Sequence, residues 1–380
     1  MSITTSLVLC AWAWLAALCF LPTAPALARD TELSRVLQRV LAPAPLDPQP
    51  GFSASLLVPP GELYDPLFMA HHGHGALVPD AGGERGDRGG RLLSVSARGE
   101  VAVIVDADKL LPIFAVDVAP PGFGTFAGQI FGLAQVRAGV GGAVENHQIV
   151  RLDPAADYAM KSVCTLPTAG GVNQGISGWG ADAQFGPPGS PFAERFFAIT
   201  ALNGVIHQMT ADGRCTPFAT IPPPYGQPLG FAFTLEGKSM LVTASGGIAG
   251  TPHAPGGGAV LRVSPIGIVD TDPVVSGLTF PSGIRVAPLG FGTFGGELFV
   301  ADLGRVQSQV RLTEAEPDDG AIYRAGADGK LRLVAKGLRN PMGLRFIGGR
   351  LWISDIAGDF LGARRELPDG YIAQIWPKGN

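Results

Sequence analysis

One set of side chains in this sequence is suited to ligand chemistry and recurs at comparable points along the chain: Asp65, Asp80, Asn173, Asn203, Gln227, Asp302, Arg339, Asn340 and Asp355. A ring of carboxylate and amide oxygens is what a hard cation such as Ca²⁺ requires, which makes Asp302 and Asp355 candidate metal ligands. The same residue types also favour turns, because short polar side chains bond nearby backbone groups. Both explanations stand on sequence alone. Arg339 can grip a carboxylate through two parallel hydrogen bonds. His147 and His253 fall in predicted loops and are candidate general bases at neutral pH. His71-His72-Gly73-His74 has a spacing that transition metals accept, but no Cys, Asp or Glu follows before Asp80, and a polar surface hairpin explains it better. His207 alternates along a predicted strand and is expected to be structural.

Other chemistries lack their signatures. No Gly-x-Ser-x-Gly elbow, phosphate loop or dinucleotide fingerprint occurs in a strand–turn–helix context. Gly122-x-Gly124 and Gly290-x-Gly292 lie between strands and read as hairpin glycines. A net charge of −4 gives no basic footprint for nucleic acid.

The elements that must position these residues come from repeats. Ala119 to Phe131 matches Ala287 to Phe299 almost letter for letter. A short apolar strand, often preceded by glycine, recurs at Leu92–Val95, Ile149–Leu152, Ile206–Met209, Val260–Val263, Ile322–Ala325 and Ile372–Ile375. Successive copies are roughly 50–60 residues apart, and the long match spans three such steps, as in a propeller of four-stranded blades. Inner strands are expected near Pro66, Pro112, Gly175, Pro228, Pro281 and Pro341, and second strands at Phe196–Ile199, Met240–Thr243, Leu298–Ala301 and Leu351–Ser354. The fold is therefore expected to be all-β, a six-bladed β-propeller over residues 51–380. The sixth blade lacks its outer strand at the C-terminus, and Phe52–Val58 is the candidate to supply it, removing an exposed edge. The connections between second and third strands are long, and long loops on a rigid scaffold carry function. They define the face on which the ring should sit.

Composition agrees. Hydrophobic residues are 46% and charged residues 16% of 380, enough apolar matter for one large core; the 54 glycines and 33 prolines are scattered between apolar runs as turn residues. Residues 1–28 read as a signal peptide: an apolar run from Leu7 to Leu21, then Ala26-Leu27-Ala28 as a cleavage site, although no Lys or Arg precedes the run. The run is short for a membrane span, so no span is expected after cleavage, and the mature chain is expected to be exported, periplasmic or extracellular. Residues 29–50 read as a short helix, with Leu33, Val36, Leu37, Val40 and Leu41 on one face, and a linker. Cys10 and Cys19 leave with the peptide. Cys164 and Cys215 remain, as a disulfide or as two buried thiols.

Gly337-Leu338-Arg339-Asn340-Pro341-Met342-Gly343-Leu344, followed by Gly349-Arg350-Leu351-Trp352-Ile353-Ser354-Asp355, resembles the glucose/sorbosone dehydrogenase family of six-bladed quinoprotein propellers. The resemblance implies pyrroloquinoline quinone and Ca²⁺ as cofactors, a sugar as substrate, and Arg339 and Asn340 at the quinone site. Met342 stands where the family usually has Gln, and Asp355-Ile356-Ala357-Gly358 where it usually has Glu-His-Gly. Leu298-Phe299-Val300-Ala301-Asp302 also looks like the strand endings of gluconolactonase-like and NHL-repeat propellers, which implies a Ca²⁺-dependent lactonase or lyase with Asp302 as a ligand. A non-catalytic propeller that binds a partner or a carbohydrate is the third expectation, since one fold hosts many functions.

Overall fold

The computed structural model describes residues 46–81, 90–106, 110–137, 144–166, 180–246, 256–304, 319–357 and 368–379. The expected signal peptide and the helix before Pro45 lie outside them, as do Asn173, Gly175 and His253. The chain enters with β1 (Asp47–Pro48) and β2 (Phe52–Leu63). Blade 1 follows with β3 (Ala70–His72), β4 (Gly75–Asp80), β5 (Arg91–Val95) and β6 (Val101–Val105). Blade 2 is β7 (Ile113–Val118), β8 (Ile130–Arg137), β9 (Val144–Asp153) and β10 (Ala159–Leu166). Blade 3 is β11 (Gly180–Phe185), β12 (Arg195–Thr200), β13 (Val205–Thr210) and β14 (Cys215–Thr220). Blade 4 is β15 (Pro228–Phe233), β16 (Met240–Ala244), β17 (Gly258–Val263) and β18 (Val269–Leu278). Blade 5 is β19 (Pro281–Val286), β20 (Leu298–Asp302), β21 (Gly320–Ala325) and β22 (Leu331–Leu338). Blade 6 is β23 (Pro341–Ile347), β24 (Arg350–Asp355) and β25 (Gly370–Pro377).

Each blade is an antiparallel sheet, and β2 completes the sixth in the order β2-β25-β24-β23. Ser53 pairs with Trp376 and Val58 with Ile372, so the N-terminal strand closes the ring on the C-terminal one. The sequence did not anticipate β1, which adds a fifth strand to the edge of blade 5, pairing Asp47 with Lys336.

Contacts at the blade seams explain the recurring Gly and Pro. A Cβ built on Gly258, Gly320 or Gly370 would meet the ring of Pro281, Pro341 or Pro66, respectively, at 2.5, 2.7 and 2.5 Å. The residue that opens each of these three third strands must therefore be small, because the next blade's inner strand begins against it. Nearer the axis, a Cβ on Gly230, Gly283 or Gly343 would lie 2.3, 2.3 and 2.6 Å from a carbonyl oxygen of the following blade, so the Pro-x-Gly stretches let neighbouring backbones touch. Hydroxyls bridge the same seams. Thr243 donates to the Ser282 carbonyl at 2.8 Å, Ser282 to Pro341 at 2.5 Å and Ser354 to Leu67 at 2.6 Å.

Apart from β3, whose His71 and His72 are exposed, the inner and second strands are largely buried and read as near-continuous apolar runs, as sheets covered on both sides must. Aromatic rings fill the space between blades. Phe123, Phe131, Phe185 and Phe196 form one group of edge-on and tilted pairs at 4.7–5.9 Å. Each such ring contributes about 1.5–3 kcal/mol by burial.

Candidate functional site

The face carrying the connections between second and third strands also carries the residues that lead into each inner strand. The second strands of blades 1, 3, 4, 5 and 6 end at Asp80, Thr200, Ala244, Asp302 and Asp355, and Ala134 is the register equivalent within the longer β8 of blade 2, each opposite the residue that leads its inner strand. The three aspartates do one job. Asp302 accepts the backbone N–H groups of Thr279 and Phe280, both at 2.7 Å, and of Gly304 at 3.0 Å. Asp355 accepts those of Arg339, Asn340 and Ala357 at 3.0, 3.0 and 2.8 Å, with the Tyr371 hydroxyl at 2.7 Å. Asp80 accepts from Tyr64 and Asp65 and is paired with the Arg91 guanidinium. Each carboxylate thus satisfies the otherwise unpaired amides that lead into its blade.

Blades 2 and 4 solve the same problem differently. Pro112 occupies that place in blade 2 and has no N–H to satisfy, so Ala134 suffices. In blade 4 the Ser245 hydroxyl accepts the Gln227 N–H at 2.9 Å. What varies among the aspartates is the partner across the third strand, which is Arg91 for Asp80, Ala321 for Asp302 and Tyr371 for Asp355. Tyr371 escaped the sequence reading. Its signal is its place, the first residue after the glycine that opens a third strand.

Burial pushes the carboxyls of Asp80, Asp302 and Asp355 above the ordinary carboxylate range, and their hydrogen-bond donors pull the other way. Burial and the adjacent Asp355 carboxylate push the Tyr371 phenol well above its ordinary value. Carboxylates so engaged do not fit a Ca²⁺ ion, which takes six to eight oxygens of its own. Among the described residues no three His, Cys, Asp or Glu side chains gather as a metal site needs, His71, His72 and His74 included. Asn340 is likewise committed, since its side-chain amide donates to the Ala357 carbonyl at 2.7 Å. Its neighbour Arg339 is half-buried, and its backbone is pinned by Asp355 and by the Tyr371 hydroxyl at 3.3 Å. Asp65 and Gln227 are buried just before the inner strands of blades 1 and 4, and Asn203 closes a 3-10 turn between β12 and β13.

His147 corrects a detail of the sequence reading. It lies within β9 rather than in a loop, because β8 extends to Arg137 and draws β9 back to Val144, so that His147 pairs with Gln135 and Leu166. Its register is informative. The residue one before the partner of the second-strand end is Gly90, Gly204, Gly258, Gly320 and Gly370 in blades 1, 3, 4, 5 and 6. In blade 2 alone it is His147, and the side chain is 2% exposed. His207, by contrast, is an inward-facing residue of β13. Its Nε2 lies 3.1 Å from the Thr200 hydroxyl, and burial pulls its pKa down to about 4.

Cys164 of β10 and Cys215 of β14 form a disulfide between the outer strands of blades 2 and 3, with Cα atoms 6.3 Å apart. This decides the alternative that their spacing left open.

No family model and no curated protein sequence matches this chain. Solved structures do. The PQQ-bound form of an aldose sugar dehydrogenase from Streptomyces coelicolor is 17% identical, with a TM-score of 0.56, and the match covers 87% of this chain and 99% of that one. The apo-form of the soluble aldose sugar dehydrogenase from Escherichia coli is 13% identical at 0.54, covering 86% and 100%. A gluconolactonase from Xanthomonas campestris is 14% identical at 0.54, covering 88% and 96%. What these likenesses establish for this chain is its fold, a six-bladed propeller of four-stranded blades.

Proposed function

We propose that this chain is an exported propeller that oxidises a small sugar at the channel mouth on the loop-bearing face, with His147 as general base. The observation that carries this reading is the replacement of glycine by a buried histidine at one of six equivalent positions. Five blades need a small residue there for packing, so a large titratable side chain is a local exception of the kind proteins keep where function requires it. Oxidation of an aldose at C1 needs a base to take the hydroxyl proton, and a neutral imidazole suits that role. A bound quinone would supply the two-electron acceptor. Arg339, held at the same face by the Asp355 and Tyr371 clamp, is the residue we assign to an anionic quinone carboxylate; Asn340 would support it from behind. The Cys164–Cys215 bond fits an oxidising compartment. Among the described residues no helix is long and apolar enough to cross a membrane.

The test adds pyrroloquinoline quinone, with and without Ca²⁺, to the purified protein and follows aldose oxidation with an artificial electron acceptor. Turnover that depends on the quinone and falls at least about 100-fold in His147→Gln, as loss of a general base does, is the expected result. Quinone binding measured in parallel should weaken in Arg339→Ala. Lactone hydrolysis without quinone binding would transfer the assignment to the lactonase class, and neither activity would leave a carbohydrate-binding propeller.

A further inference from the structure

The opposite face of the propeller holds a second cluster of charge, remote from the loops. One residue of each inner strand pairs with the residue three before the register-equivalent end of the second strand: Ala70, Asp117, Gln184, Ala232, Arg285 and Arg345. Two arginines reach past an alanine blade to an acid beyond it. Arg285 of blade 5 passes Ala232 and meets Asp182 of blade 3 at 2.7 Å. Arg345 of blade 6 passes Ala70 and meets Asp117 of blade 2 at 3.2 Å. The small side chain in the intervening blade leaves room for each reach.

The two clasps are not equally complete. The Arg285 guanidinium is buried and also donates to the Phe231 and Ile284 carbonyls, yet its Nε is buried with no hydrogen-bond partner in the described structure. Buried donors are nearly always met in folded proteins. The Arg345 side chain is more exposed, and among the described residues it makes a single hydrogen bond, to an Asp117 carboxylate that the Val118 and Phe185 amides already engage. A guanidinium carries five N–H donors, so most of those on Arg345 remain for another acceptor. His71 follows Ala70 on β3, is exposed, and its ring makes no hydrogen bond among the described residues. The turns on this side are short, Gly73–His74 in blade 1 and Gly348–Gly349 in blade 6, whereas residues 119–129 and 287–297 build long hairpins on blades 2 and 5. On this side His71 is exposed and the Arg345 side chain keeps 15% exposure.

We propose that this mouth is a binding site for a small oxyanion, a phosphate or a carboxylate, held by Arg345 and His71. Asp117 and Asp182 balance the two guanidiniums, so the net attraction comes from the histidines. Burial, then Arg345 and His72, hold the His71 pKa below its ordinary value; Asp117 opposes them and His74 adds to them. An anion between Arg345 and His71 offsets those cationic neighbours and favours the imidazolium. Binding then takes up a proton and tightens as pH falls through the histidine range. The site is independent of the sugar chemistry assigned to the other face.

The test uses the purified full chain with labelled histidine and follows the His71 ring signals by NMR during titrations with inorganic phosphate and, separately, with gluconate. Saturation should raise the His71 pKa by about one unit, and the anion giving the larger shift names the source. Arg345→Gln should weaken binding about tenfold or more. His71→Asn, an exposed change that leaves the fold intact, should keep residual binding in calorimetry but lose its pH dependence. An unchanged His71 pKa with both anions, or pH dependence that survives in His71→Asn, overturns the proposal.

Discussion

Blades 2 and 5 open with the same hairpin and finish their seams by different means. In both, a long turn folds back on itself through matching hydrogen bonds: Ala119 to Gln129 and Gly128 to Ala119 in one, Ala287 to Glu297 and Gly296 to Ala287 in the other. Phe123 meets Phe131 edge-on at 5.5 Å, and Phe291 meets Phe299 at 5.4 Å. An arginine of the third strand lies over the outer ring in each copy, Arg151 over Phe126 and Arg324 over Phe294. Beyond the hairpin the copies part. The blade 2–3 seam is stapled at its rim by Cys164–Cys215. The blade 5–6 seam is covered by the N-terminal strands, with β1 on blade 5, β2 on blade 6, and Phe52 stacked on Phe294 at 4.5 Å. On the channel side, equivalent positions carry opposite charges, Asp117 in blade 2 and Arg285 in blade 5. Near-identical sequence therefore gives identical local structure, while the neighbour across the seam sets what each copy must be fastened to.

The comparison can be broken at its strongest point by deleting residues 46–60. That removes β1 and most of β2, including the buried Phe52 and Val58, so the loss should be on the order of 5 kcal/mol or more. The melting temperature should fall by more than about 10 °C. An unchanged melting curve would mean that the blade 5–6 seam holds without its strap.

Next in size are the two clasps. Arg285→Met leaves the buried Asp182 charge without its cation and should cost about 3–5 kcal/mol in urea unfolding. Arg345→Met, whose partner Asp117 keeps two amides and is 15% exposed, should cost about 1.5–3 kcal/mol. Equal losses would erase the distinction between a closed clasp and one with donors to spare.

In size the covalent staple falls between the two clasps. Replacing both Cys164 and Cys215 by Ser should remove about 2–4 kcal/mol, with the blade count unchanged. If the doubly substituted protein matched the wild type in urea unfolding, the staple would be shown to add nothing to its seam.

Much of this architecture was legible in one sequence because its signals are local. At three seams a glycine opening a third strand touches the proline that leads into the next blade, and the six recurring apolar third strands mark the blade count. The missing outer strand of blade 6 pointed to Phe52–Val58 for the same reason, as an unpaired edge needs a partner. The site was harder to read. Whether Asp302 and Asp355 hold a cation or clamp backbone amides depends on whether residues 15 to 23 positions away arrive within 3 Å of them, and composition is identical in the two cases. The sequence offered His147 as a candidate base alongside His253, but only aligned registers showed that it fills a place that glycine holds in the other five blades. Arg285 and Asp182, 103 residues apart, carry no pattern that links them. The sequence by itself determined the repeat, the closure and the hairpin pairs, because short-range sterics and hydrogen bonding suffice for those. Only the tertiary structure decided which charges meet across the channel and which cysteines join, because such pairings follow from where the closed ring brings distant blades.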